Sequence, residues 1–523
     1  MKPMHPGGAK EVHPASLLFG IPVDQLAFAD AAREIVRWAK TAGDVPRFVA
    51  TTNVDFLVKS VSWNPDSPRH PELVEVLRNA SLNTADGMPV VWASRLLGGD
   101  VRERVSGSDL VPFLASAAAK DGITLFLLGG KEEIARKAAA LMTAQNPGLR
   151  IVGVDSPFVR TEGMQIGFED ETDAQICERI NAAGADVLLV GFGNPKQEMW
   201  FHRNRHRLQV NVVLGVGGTL NFVAGEIGRA PAWMQKAGVE WIYRLIEEPG
   251  RLWQRYALGL LKFSYVLLPI LVVHFLLRLC AGSRRTKAEL SEPFYSGIQG
   301  IRVLTLPRLF TKTEVPLVLA QLHQAEDGGL VLDARHCRFI DASGLGALWQ
   351  AWRLANMQKQ ALYFLAPSWP VRRLLLIHRA WDLVAPNVCP DTEQLVFRIG
   401  ERFANSGCFV CVADRSQGVV VRFLGALSNE ETSRLDREPL IEALSGRNLV
   451  IDFTFCPRVE GLGMGLVARL HAETEAAGLQ TILFGANTSV QRAFHVTRLQ
   501  QCLSRESSLE DVLSQLGGGP LVS

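Results

Sequence analysis

The C-terminal half of this chain contains an internal repeat, which strongly limits how it can fold. An apolar run ending in aspartate is followed by a cysteine, an acidic residue and two glycines, and the same series occurs again 119 residues later. The first copy comprises Leu330–Asp333, Cys337, Asp341, Gly344 and Gly346, and the second comprises Leu449–Asp452, Cys456, Glu460, Gly463 and Gly465. The register also persists further downstream without a gap. The repeat predicts two tandem copies of one small α/β domain.

The N-terminal half shows a different pattern. From Arg47 to Val223, short apolar runs alternate with turns containing Gly, Asn or Asp and with amphipathic stretches. This alternation predicts an α/β fold with a parallel sheet and helices on both faces. The predicted strands are Arg47–Thr52, Ile123–Leu128, Asp186–Val190 and Val212–Val216. Ligands of such sheets bind beyond the carboxyl ends of the strands, so the residues that follow each run are candidate site residues.

Composition and charge exclude several classes of protein. A chain of 523 residues is longer than a single hydrophobic core usually accommodates, so several domains are expected. The content of 47% hydrophobic residues argues against disorder over most of the chain. A net charge of +2 offers no general attraction for nucleic acid, so no nucleic-acid partner is expected. The segment Met1–Val12 lacks the apolar run of a secretory signal, so we expect a cytosolic start. The 8 cysteines are scattered, and we expect reduced, structural thiols.

Glycines occupy three predicted strand-to-helix junctions. They are Gly129 and Gly130, Gly191 and Gly193, and Gly217 and Gly218. Glycine permits close backbone approach, and the N-terminus of the next helix offers free N–H groups to phosphate or ribose oxygens. Three such junctions on one sheet favour nucleotide binding over simple tight turns. No P-loop is present and the third glycine of the dinucleotide fingerprint is missing, which disfavours a nicotinamide enzyme.

Asp86 is the candidate catalytic carboxylate. It follows an apolar stretch and precedes Gly87 and Pro89, a proline that can start a helix. Asp86 could therefore be a general base or simply a helix N-cap. No cluster of acidic, His or Cys residues indicates a bound metal, so arginines and helix ends are expected to meet the charge of a diphosphate. The candidate cations are Arg104, Arg244, Arg251 and Arg255.

An apolar run, Phe263–Leu277, follows a region rich in aromatic residues and arginines. It is shorter than the roughly 20 residues that span a bilayer and it contains Pro269, so the prediction is an interfacial membrane segment rather than a span. A buried core helix or an oligomer interface is the alternative. The polar stretch Ala281–Gly300 is predicted to be a linker.

Several motifs resemble the WecG/TagA/CpsF glycosyltransferases (glycosyltransferase family 26). They are Thr84–Pro89, Arg104–Asp109, Gly191–Glu198 and Gly217–Thr219, followed by Glu240, Trp241 and Arg244. The resemblance covers about Leu17 to Tyr256. It implies a Rossmann-like domain with a helical C-terminal appendage, and metal-independent, inverting transfer from a UDP-sugar. The sugar would be of the N-acetylmannosamine type, and the acceptor a polyprenyl-diphosphate-linked molecule at the cytoplasmic face of a bacterial inner membrane.

The resemblance also implies roles for individual residues. Asp86 matches the family's base, Thr52 and Asn53 line the pocket, and Gln197 lies beside the nucleotide sugar. Asn194 and Glu198 lie in the same motif and are expected to contribute to substrate binding. The arginine-bearing appendage would close over the diphosphate and touch the membrane. No cofactor is implied beyond the UDP-sugar donor.

The tandem repeat resembles the STAS domain of anti-sigma-factor antagonists and anion-transporter tails. The motif is Asp341–Gly346, in which Ser343 falls on the position that partner-switching proteins phosphorylate. A serine before a helix is also a common N-cap, so both roles stay open. The resemblance implies regulation, or docking of a protein partner. At the equivalent place the second copy has Leu462, which no kinase can modify.

The predicted organisation has five parts. Residues 1–256 form the transferase domain with its arginine-rich appendage, 257–280 the apolar segment, 281–299 the linker, and 300–405 and 406–523 the two STAS-like domains. The rival interpretations are a nucleotide-dependent oxidoreductase or epimerase, and a non-catalytic membrane scaffold for the STAS-like pair. A homo-oligomer is compatible with each of them.

Overall fold

The structure is a computed structural model. It describes residues 13–61, 71–157, 170–226, 249–282, 289–290, 302–323, 330–403, 409–415, 418–435, 440–441, 446–495, 497–504 and 509–517, with the single positions 228, 231, 234, 243 and 506. Glu240, Trp241 and Arg244 lie outside the described residues, as do the side chains of Arg251 and Arg255.

The described chain begins with a β-hairpin that the sequence did not predict. Strands β1 (Ala15–Leu18) and β2 (Ile21–Asp24) pair antiparallel, and Ala15 pairs with Asp24. Every residue of both strands is buried, because the hairpin lies between the N-terminal sheet and the first repeat unit.

A six-stranded parallel sheet forms the core of the N-terminal domain. Its strands are β3 (Arg47–Thr52), β4 (Leu82–Ala85), β5 (Thr124–Leu128), β6 (Arg150–Asp155), β7 (Val187–Val190) and β8 (Val212–Gly215). Their spatial order is β4-β3-β8-β7-β5-β6, and Val49 of β3 pairs with Leu82 on one side and Leu214 on the other. The central strands β5, β7 and β8 are wholly buried, as expected for parallel strands covered on both faces.

Nine helices accompany this sheet in the described part of the domain. They are α1 (Phe28–Ala39), α2 (Val54–Ser60), α3 (Pro71–Asn79), α4 (Met88–Leu96), α5 (Gly107–Asp121), α6 (Glu132–Gln145), α7 (Asp170–Ala183), α8 (Lys196–Asn204) and α9 (Thr219–Val223). Helix α1 buries Ile35 and Trp38 on one face, and Gly122 ends α5 in the left-handed conformation.

The four predicted strands are confirmed to within one residue at each end, but β4 and β6 were missed. Strand β4 has only four residues, and two of them are the polar Asn83 and Thr84. Strand β6 lies at the edge of the sheet and is only partly buried, so its sequence lacks a continuous apolar run. Pairing with neighbouring strands, rather than a strong local sequence pattern, therefore determines that these two segments are strands.

A single helix, α10 (Pro249–Ala281), contains the predicted apolar run and extends it at both ends. Pro269 lies inside the helix and does not interrupt it. Within the described residues, Leu258–Ala281 is a stretch of 24 residues that is long and apolar enough to cross a membrane.

The first repeat unit (residues 302–403, unit 1) has a five-stranded sheet in the order β15-β14-β12-β10-β9. Within the segment predicted to be a linker, two residues form the short strand β9, which pairs antiparallel with β10. The strands are β9 (Glu289–Leu290), β10 (Arg302–Thr305), β12 (Leu330–Asp333), β14 (Leu362–Leu365) and β15 (Val388–Cys389), with a separate pair β11 (Leu309–Phe310) and β13 (Phe339–Ile340). The helices are α11 (Val315–His323), α12 (Ala342–Gln358), α13 (Trp369–Ile377), α14 (Trp381–Val384) and α15 (Thr392–Phe403), and a 3₁₀ turn covers Ala385–Asn387.

The second unit (residues 409–517, unit 2) repeats this arrangement. Its strands are β16 (Phe409–Arg415), β17 (Gly418–Leu424), β18 (Leu449–Asp452) and β19 (Thr481–Phe484), in that spatial order. Its described helices are α16 (Asn429–Arg434), α17 (Gly461–Ala476), α18 (Thr488–Phe494) and α19 (Leu509–Gly517), with a 3₁₀ helix over Arg498–Cys502. The strands β12 and β14 and the helices α12 and α13 each start 119 residues before their counterparts in unit 2.

Candidate functional site

The candidate residues of the N-terminal domain meet at one edge of its sheet. Thr52 and Asn53 stand at the end of β3, Asp86 follows β4, and the three glycine pairs follow β5, β7 and β8. All six strands are parallel, so these segments lie at the same edge. From β3 the chain continues to β4 at one end of the sheet, and from β5 it continues to β6 at the other end. In doubly wound sheets, such a reversal of direction creates a crevice in which ligands bind.

Asp86 lies where β4 turns into helix α4. Its backbone N–H donates to the carbonyl oxygen of Thr52 at 2.8 Å, which fixes it beside the end of β3. The N-cap of α4 is Gly87, whose φ of +124° favours glycine. The helix therefore begins where the sequence predicted, and Gly87, the residue after Asp86, stands at its N-cap position.

Thr52 and Asn53 have different surroundings. Thr52 is fully buried, and its hydroxyl lies 3.5 Å from the side-chain oxygen of Asn83. Asn53 caps helix α2, because its side-chain oxygen accepts the backbone N–H groups of Asp55 and Phe56 at 3.0 and 3.4 Å. The oxygen of Asn53 thus has a structural role, and its amide N–H₂ group is what remains for a ligand.

Arg104 lies close to the strand that carries Asp86. The backbone N–H of Val105 donates to the carbonyl oxygen of Ala85 at 2.9 Å, so the loop before α5 runs beside the end of β4. The Arg104 guanidinium donates to Asp109 at 2.7 Å, and the Ser106 hydroxyl donates to the same carboxylate at 2.7 Å. Arg104 is therefore held by an ion pair within its own motif.

The glycine loops adopt backbone conformations that explain the residue type. Gly129, Gly130, Gly193 and Gly217 have φ of +97°, +81°, +80° and +50°, a region that side chains disfavour. A Cβ at Gly191 would contact the carbonyl oxygen of Gly217 at 3.3 Å, so the loops after β7 and β8 lie close together. Gly218 is the N-cap residue of α9.

Gln197 joins two of these loops. Its side-chain oxygen accepts the N–H of Gly193 at 3.3 Å and the N–H of Gly217 at 3.0 Å. Its amide nitrogen donates to Glu198 at 2.6 Å. Gln197 is 2% exposed, so its side chain lies buried beneath the two loops and connects them through these hydrogen bonds. This contact was not predictable from the sequence, because Gln197 and Gly217 belong to different loops.

Glu198 is a fully buried carboxyl group. Burial raises the pKa of Glu198 to about 8, and the hydrogen bond from Gln197 and the charge of Lys59 oppose this rise. Lys59, which the sequence did not single out, donates to Asp55 at 2.7 Å and to the backbone oxygen of Asn194 at 2.9 Å. The sequence feature that could have identified Lys59 is its spacing from Asp55, which lies one helical turn earlier on α2.

The predicted arginines of the appendage cannot be placed in the site. Arg251 and Arg255 belong to the first turns of α10, but their side chains lie outside the described residues, as does all of Arg244. Their contact with a diphosphate remains a prediction.

Ser343 lies away from this edge, in a contact between unit 1 and the N-terminal domain. It is 1% exposed, accepts a hydrogen bond from the Gln25 side chain at 2.9 Å and donates to the carbonyl oxygen of Gly98 at 3.3 Å. The N-cap of α12 is Asp341, which accepts the N–H of Gly344 at 2.9 Å, so the capping alternative for Ser343 is wrong. In this arrangement a kinase could not reach the Ser343 hydroxyl.

The edge of the sheet therefore brings together the carboxylate of Asp86, three glycine loops and the helix N-termini that follow them. A carboxylate can remove a proton from a hydroxyl, and loops of this kind can hold a nucleotide diphosphate. The arrangement is suited to transfer between a nucleotide-linked donor and a hydroxyl acceptor.

Comparison with known proteins gives a consistent result for this domain. Residues 16–273 match the model of the glycosyl transferase WecG/TagA/CpsF family. An N-acetylglucosaminyldiphosphoundecaprenol N-acetyl-beta-D-mannosaminyltransferase of Bacillus subtilis (strain 168) is 30% identical over 194 residues, which are 36% of this chain and 71% of the relative. A protein of the same name from Bacillus spizizenii is 26% identical over 243 residues, 45% of this chain and 85% of the relative.

A solved structure, the murine Slc26a9 anion transporter in the inward-facing state, shares 14% identity over 35% of each chain. Its TM-score is 0.19, so this likeness supports no statement about the fold or role of the C-terminal units.

Proposed function

Because this chain belongs to the WecG/TagA/CpsF family of glycosyltransferases, we propose that it transfers an N-acetylmannosamine-type sugar from a UDP-sugar to a polyprenyl-diphosphate-linked acceptor. Both Bacillus relatives carry names that describe such an acceptor and such a sugar. The observation that carries the proposal is the meeting of Asp86 with the glycine loops and Gln197 at one edge of the sheet. Family membership also removes the oxidoreductase and the non-catalytic scaffold as leading alternatives.

The proposed mechanism is a single displacement. Asp86 removes the proton from an acceptor hydroxyl, and the resulting oxygen nucleophile attacks the anomeric carbon of the sugar. The bond from that carbon to the diphosphate oxygen breaks as the new bond forms, so UDP leaves with the bonding electrons and the configuration inverts. The helix N-termini that follow the glycine loops, together with arginines of the appendage, would stabilise the charge on the departing diphosphate without a metal.

Helix α10 supports the proposal of a membrane-bound acceptor. Its buried face carries Phe263, Ile270 and Leu277, and it packs both on the N-terminal domain and on unit 1. Its other face is also apolar but exposed, with Leu268 at 63% and Leu279 at 77%. The other large exposed side chains of this face are Leu258, Leu261, Tyr265, Val272, Phe275 and Leu276.

This two-faced helix favours the membrane interface over a transmembrane span. Crossing the bilayer would strip the buried face from its protein contacts and would put unit 1 on the opposite side from the domain on which it packs. A helix lying in the interface keeps those contacts and buries the exposed apolar face in lipid. We therefore propose peripheral binding at the cytoplasmic face of the inner membrane.

The role proposed for units 1 and 2 is regulatory or docking, following their resemblance to STAS domains. A protein partner of unit 1 would have to bind elsewhere than at Ser343, or displace the N-terminal domain first, because Ser343 is buried in that contact. Phosphorylation of Ser343 would accordingly require unit 1 to separate from the hairpin.

The test is a transfer assay with the full chain in detergent or vesicles. A panel of UDP-sugars is combined with polyprenyl-diphosphate-linked N-acetylglucosamine, and products are identified by mass spectrometry and the new linkage by NMR. We expect acceptor-dependent release of UDP with UDP-N-acetylmannosamine, an inverted anomer and full activity in the presence of a chelator. Absence of transfer from every UDP-sugar, or retention of configuration, would contradict the proposal.

A further inference from the structure

Unit 1 is docked on the N-terminal domain through its helix α12. Gly346 of this helix lies so close to the hairpin that an added Cβ would overlap the carbonyl oxygen of Ala15. The N–H of Ala342 donates to the carbonyl oxygen of Leu97 at 2.9 Å, and the side chain of Ala15 packs in the core of unit 1. We call this contact, between α12 on one side and the hairpin with Leu97 and Gly98 on the other, the α12 dock.

Charged pairs fix both ends of the dock. Arg78 of α3 forms an ion pair with Asp382 and donates to the carbonyl oxygen of Arg379 at 2.9 Å. At the other end, Lys312 pairs with Asp100 at 3.1 Å. The dock therefore combines backbone contact, apolar burial and polar pairs, the components of a specific interface.

The repeat provides an internal reference for this surface. Gly465 occupies in unit 2 the place of Gly346, and a Cβ added there would meet no heavy atom within 4 Å. Leu462 is 48% exposed, whereas the equivalent Ser343 is 1% exposed. Among the described residues, the same helix face is thus covered in unit 1 and open in unit 2, so docking is a property of unit 1 and not of the repeat as such.

Two connections lead from the dock to Asp86. Helix α4 begins two residues after Asp86 and is followed directly by Leu97, whose carbonyl oxygen receives the N–H of Ala342. The second connection runs through the hairpin, where the carboxylate of Asp24 accepts the N–H of Asn83 at 2.6 Å. Asn83 belongs to β4, the strand that ends one residue before Asp86.

Unit 1 contributes a charge to the second connection. The guanidinium of Arg353 on α12 and the carboxyl group of Asp24 attract each other electrostatically. Asp24 is buried beneath the dock, where burial raises its pKa to about 7 and the charge of Arg353 opposes the rise. Removal of unit 1 would take this cation away from Asp24 and would expose the face of the hairpin that α12 covers.

We infer that docked unit 1 is a positioning element of the transferase, which holds the β4–α4 junction and thereby the carboxylate of Asp86. The inference rests on the proposed function of Asp86 as base. The glycine loops that would bind the donor follow β5, β7 and β8, whereas the dock joins α12 to the hairpin and to the end of α4. Undocking should therefore lower kcat while leaving the KM for the UDP-sugar nearly unchanged.

The decisive comparison is Gly346→Leu against Gly465→Leu in the full-length protein. The first places a side chain where the Ala15 backbone lies, and the second places the same side chain in open space at the matching position of unit 2. Hydrogen exchange over residues 15–24 and 82–100 reports undocking and the mobility of the β4–α4 junction independently of activity. Transfer kinetics with UDP-N-acetylmannosamine report the effect on catalysis.

We expect Gly346→Leu to speed exchange in both segments and to lower kcat by about 10- to 100-fold, the usual effect of misplacing a reacting group. The KM for UDP-N-acetylmannosamine should change by less than about twofold, and Gly465→Leu should behave as the wild type. Undocking with unchanged kcat would overturn the inference, as would undocking without faster exchange over residues 82–96. If Gly346→Leu does not fold, the surface variant Asp382→Arg with Lys312→Glu opens both ends of the dock instead.

Failure of the proposed function would look different. It would appear as absent transfer in the wild-type protein, whereas the exchange measurement at the β4–α4 junction would still decide whether unit 1 holds that junction. Positioning is then supported if exchange rises on undocking and overturned if it does not.

Discussion

The amide nitrogen of Gln197 donates to the carboxyl group of Glu198 at 2.6 Å, and both side chains are buried beneath the glycine loops. The same Gln197 side chain accepts the N–H groups of Gly193 and Gly217. One residue therefore connects the loop after β7 with the loop after β8. The pair Gln197–Glu198 sets the distance between the loops that would hold the donor diphosphate.

Replacement of Gln197 should separate these loops. In Gln197→Ala two backbone N–H groups and the Glu198 carboxyl lose their partner, and a buried unsatisfied group costs about 1–3 kcal/mol. We expect kcat/KM for the UDP-sugar to fall by about 10- to 100-fold, measured by UDP release. Gln209→Ala, at an exposed position of the same domain, is the control and should be silent. Equal kinetics of both variants would show that Gln197 does not organise the loops.

Glu198 makes stability depend on pH in a defined direction. Its pKa is about 8 in the folded protein against 4.5 for the ordinary group, so the folded state holds a proton that the unfolded state loses. The contribution of Glu198 to stability therefore falls as pH rises from about 4.5 to 8. Glu198→Gln removes this titration and keeps a neutral side chain of the same shape.

We expect the wild type to lose stability relative to Glu198→Gln between pH 5 and 8, by on the order of 1–4 kcal/mol. Urea unfolding of both proteins at several pH values, followed by tryptophan fluorescence, measures the difference. Parallel pH curves for the two proteins would mean that Glu198 is already ionised in the folded state.

Asp86→Asn tests the proposed base directly. The amide is nearly isosteric but cannot accept a proton, so turnover should fall by about 10²–10⁴, while the affinity for UDP-sugar stays close to that of the wild type. Rapid-quench kinetics and equilibrium binding of UDP separate the two quantities. Asp44→Asn, in an exposed turn of the same domain, is the matched control. Wild-type turnover in Asp86→Asn would assign the base elsewhere.

The edge of the sheet that carries these residues was predictable because its signals are local. Buried parallel strands are continuous apolar runs, and glycines mark their ends, as at Gly129 and Gly191. Strand β4 gave no such signal, since its residues Asn83 and Thr84 are polar and its position depends on pairing with β3. Its carboxyl end was nevertheless located through the motif that contains Asp86.

The surroundings of Ser343 were not predictable from the sequence. Its partners Gln25 and Gly98 lie more than 200 residues away in the chain, and only the folded arrangement brings them together. The two copies of the repeat have the same local pattern, yet Ser343 is buried and Leu462 is exposed. Burial of a repeated surface depends on a neighbouring domain, which periodicity within the repeat does not contain.

Membrane binding should depend on the exposed face of α10. The double variant Leu268→Ser with Leu279→Ser makes two exposed leucines polar. Burial of one leucine side chain in an apolar phase is favourable by about 1.5–3 kcal/mol. We expect the affinity for vesicles containing anionic lipid to fall by at least tenfold in flotation assays. Leu462→Ser, at an exposed leucine of unit 2, is the control. Unchanged flotation of the double variant would place the membrane contact elsewhere.

Two histidines are buried where α10 meets unit 1. His274 of α10 and His378 after α13 have ring centroids 5.9 Å apart and are 4% and 0% exposed. Within the described residues, neither ring nitrogen of His378 has a hydrogen-bond partner. Burial lowers the pKa of His378 to about 3 and that of His274 to about 4, and the charge of Arg278 also lowers the latter.

His378→Leu should make the junction of α10 with unit 1 more resistant to acid. In the wild type the unfolded chain takes up protons below about pH 6.5 while the buried rings stay neutral, so stability falls as pH decreases towards 4. The leucine fills a similar volume, removes the unpartnered nitrogens and should add about 1–3 kcal/mol at pH 7. Urea unfolding at pH 7 and pH 5 measures both effects, with His336→Leu, at an exposed histidine of unit 1, as the control. If His378→Leu loses as much stability on acidification as the wild type and His336→Leu, then the His274–His378 contact is not what makes this junction sensitive to acid.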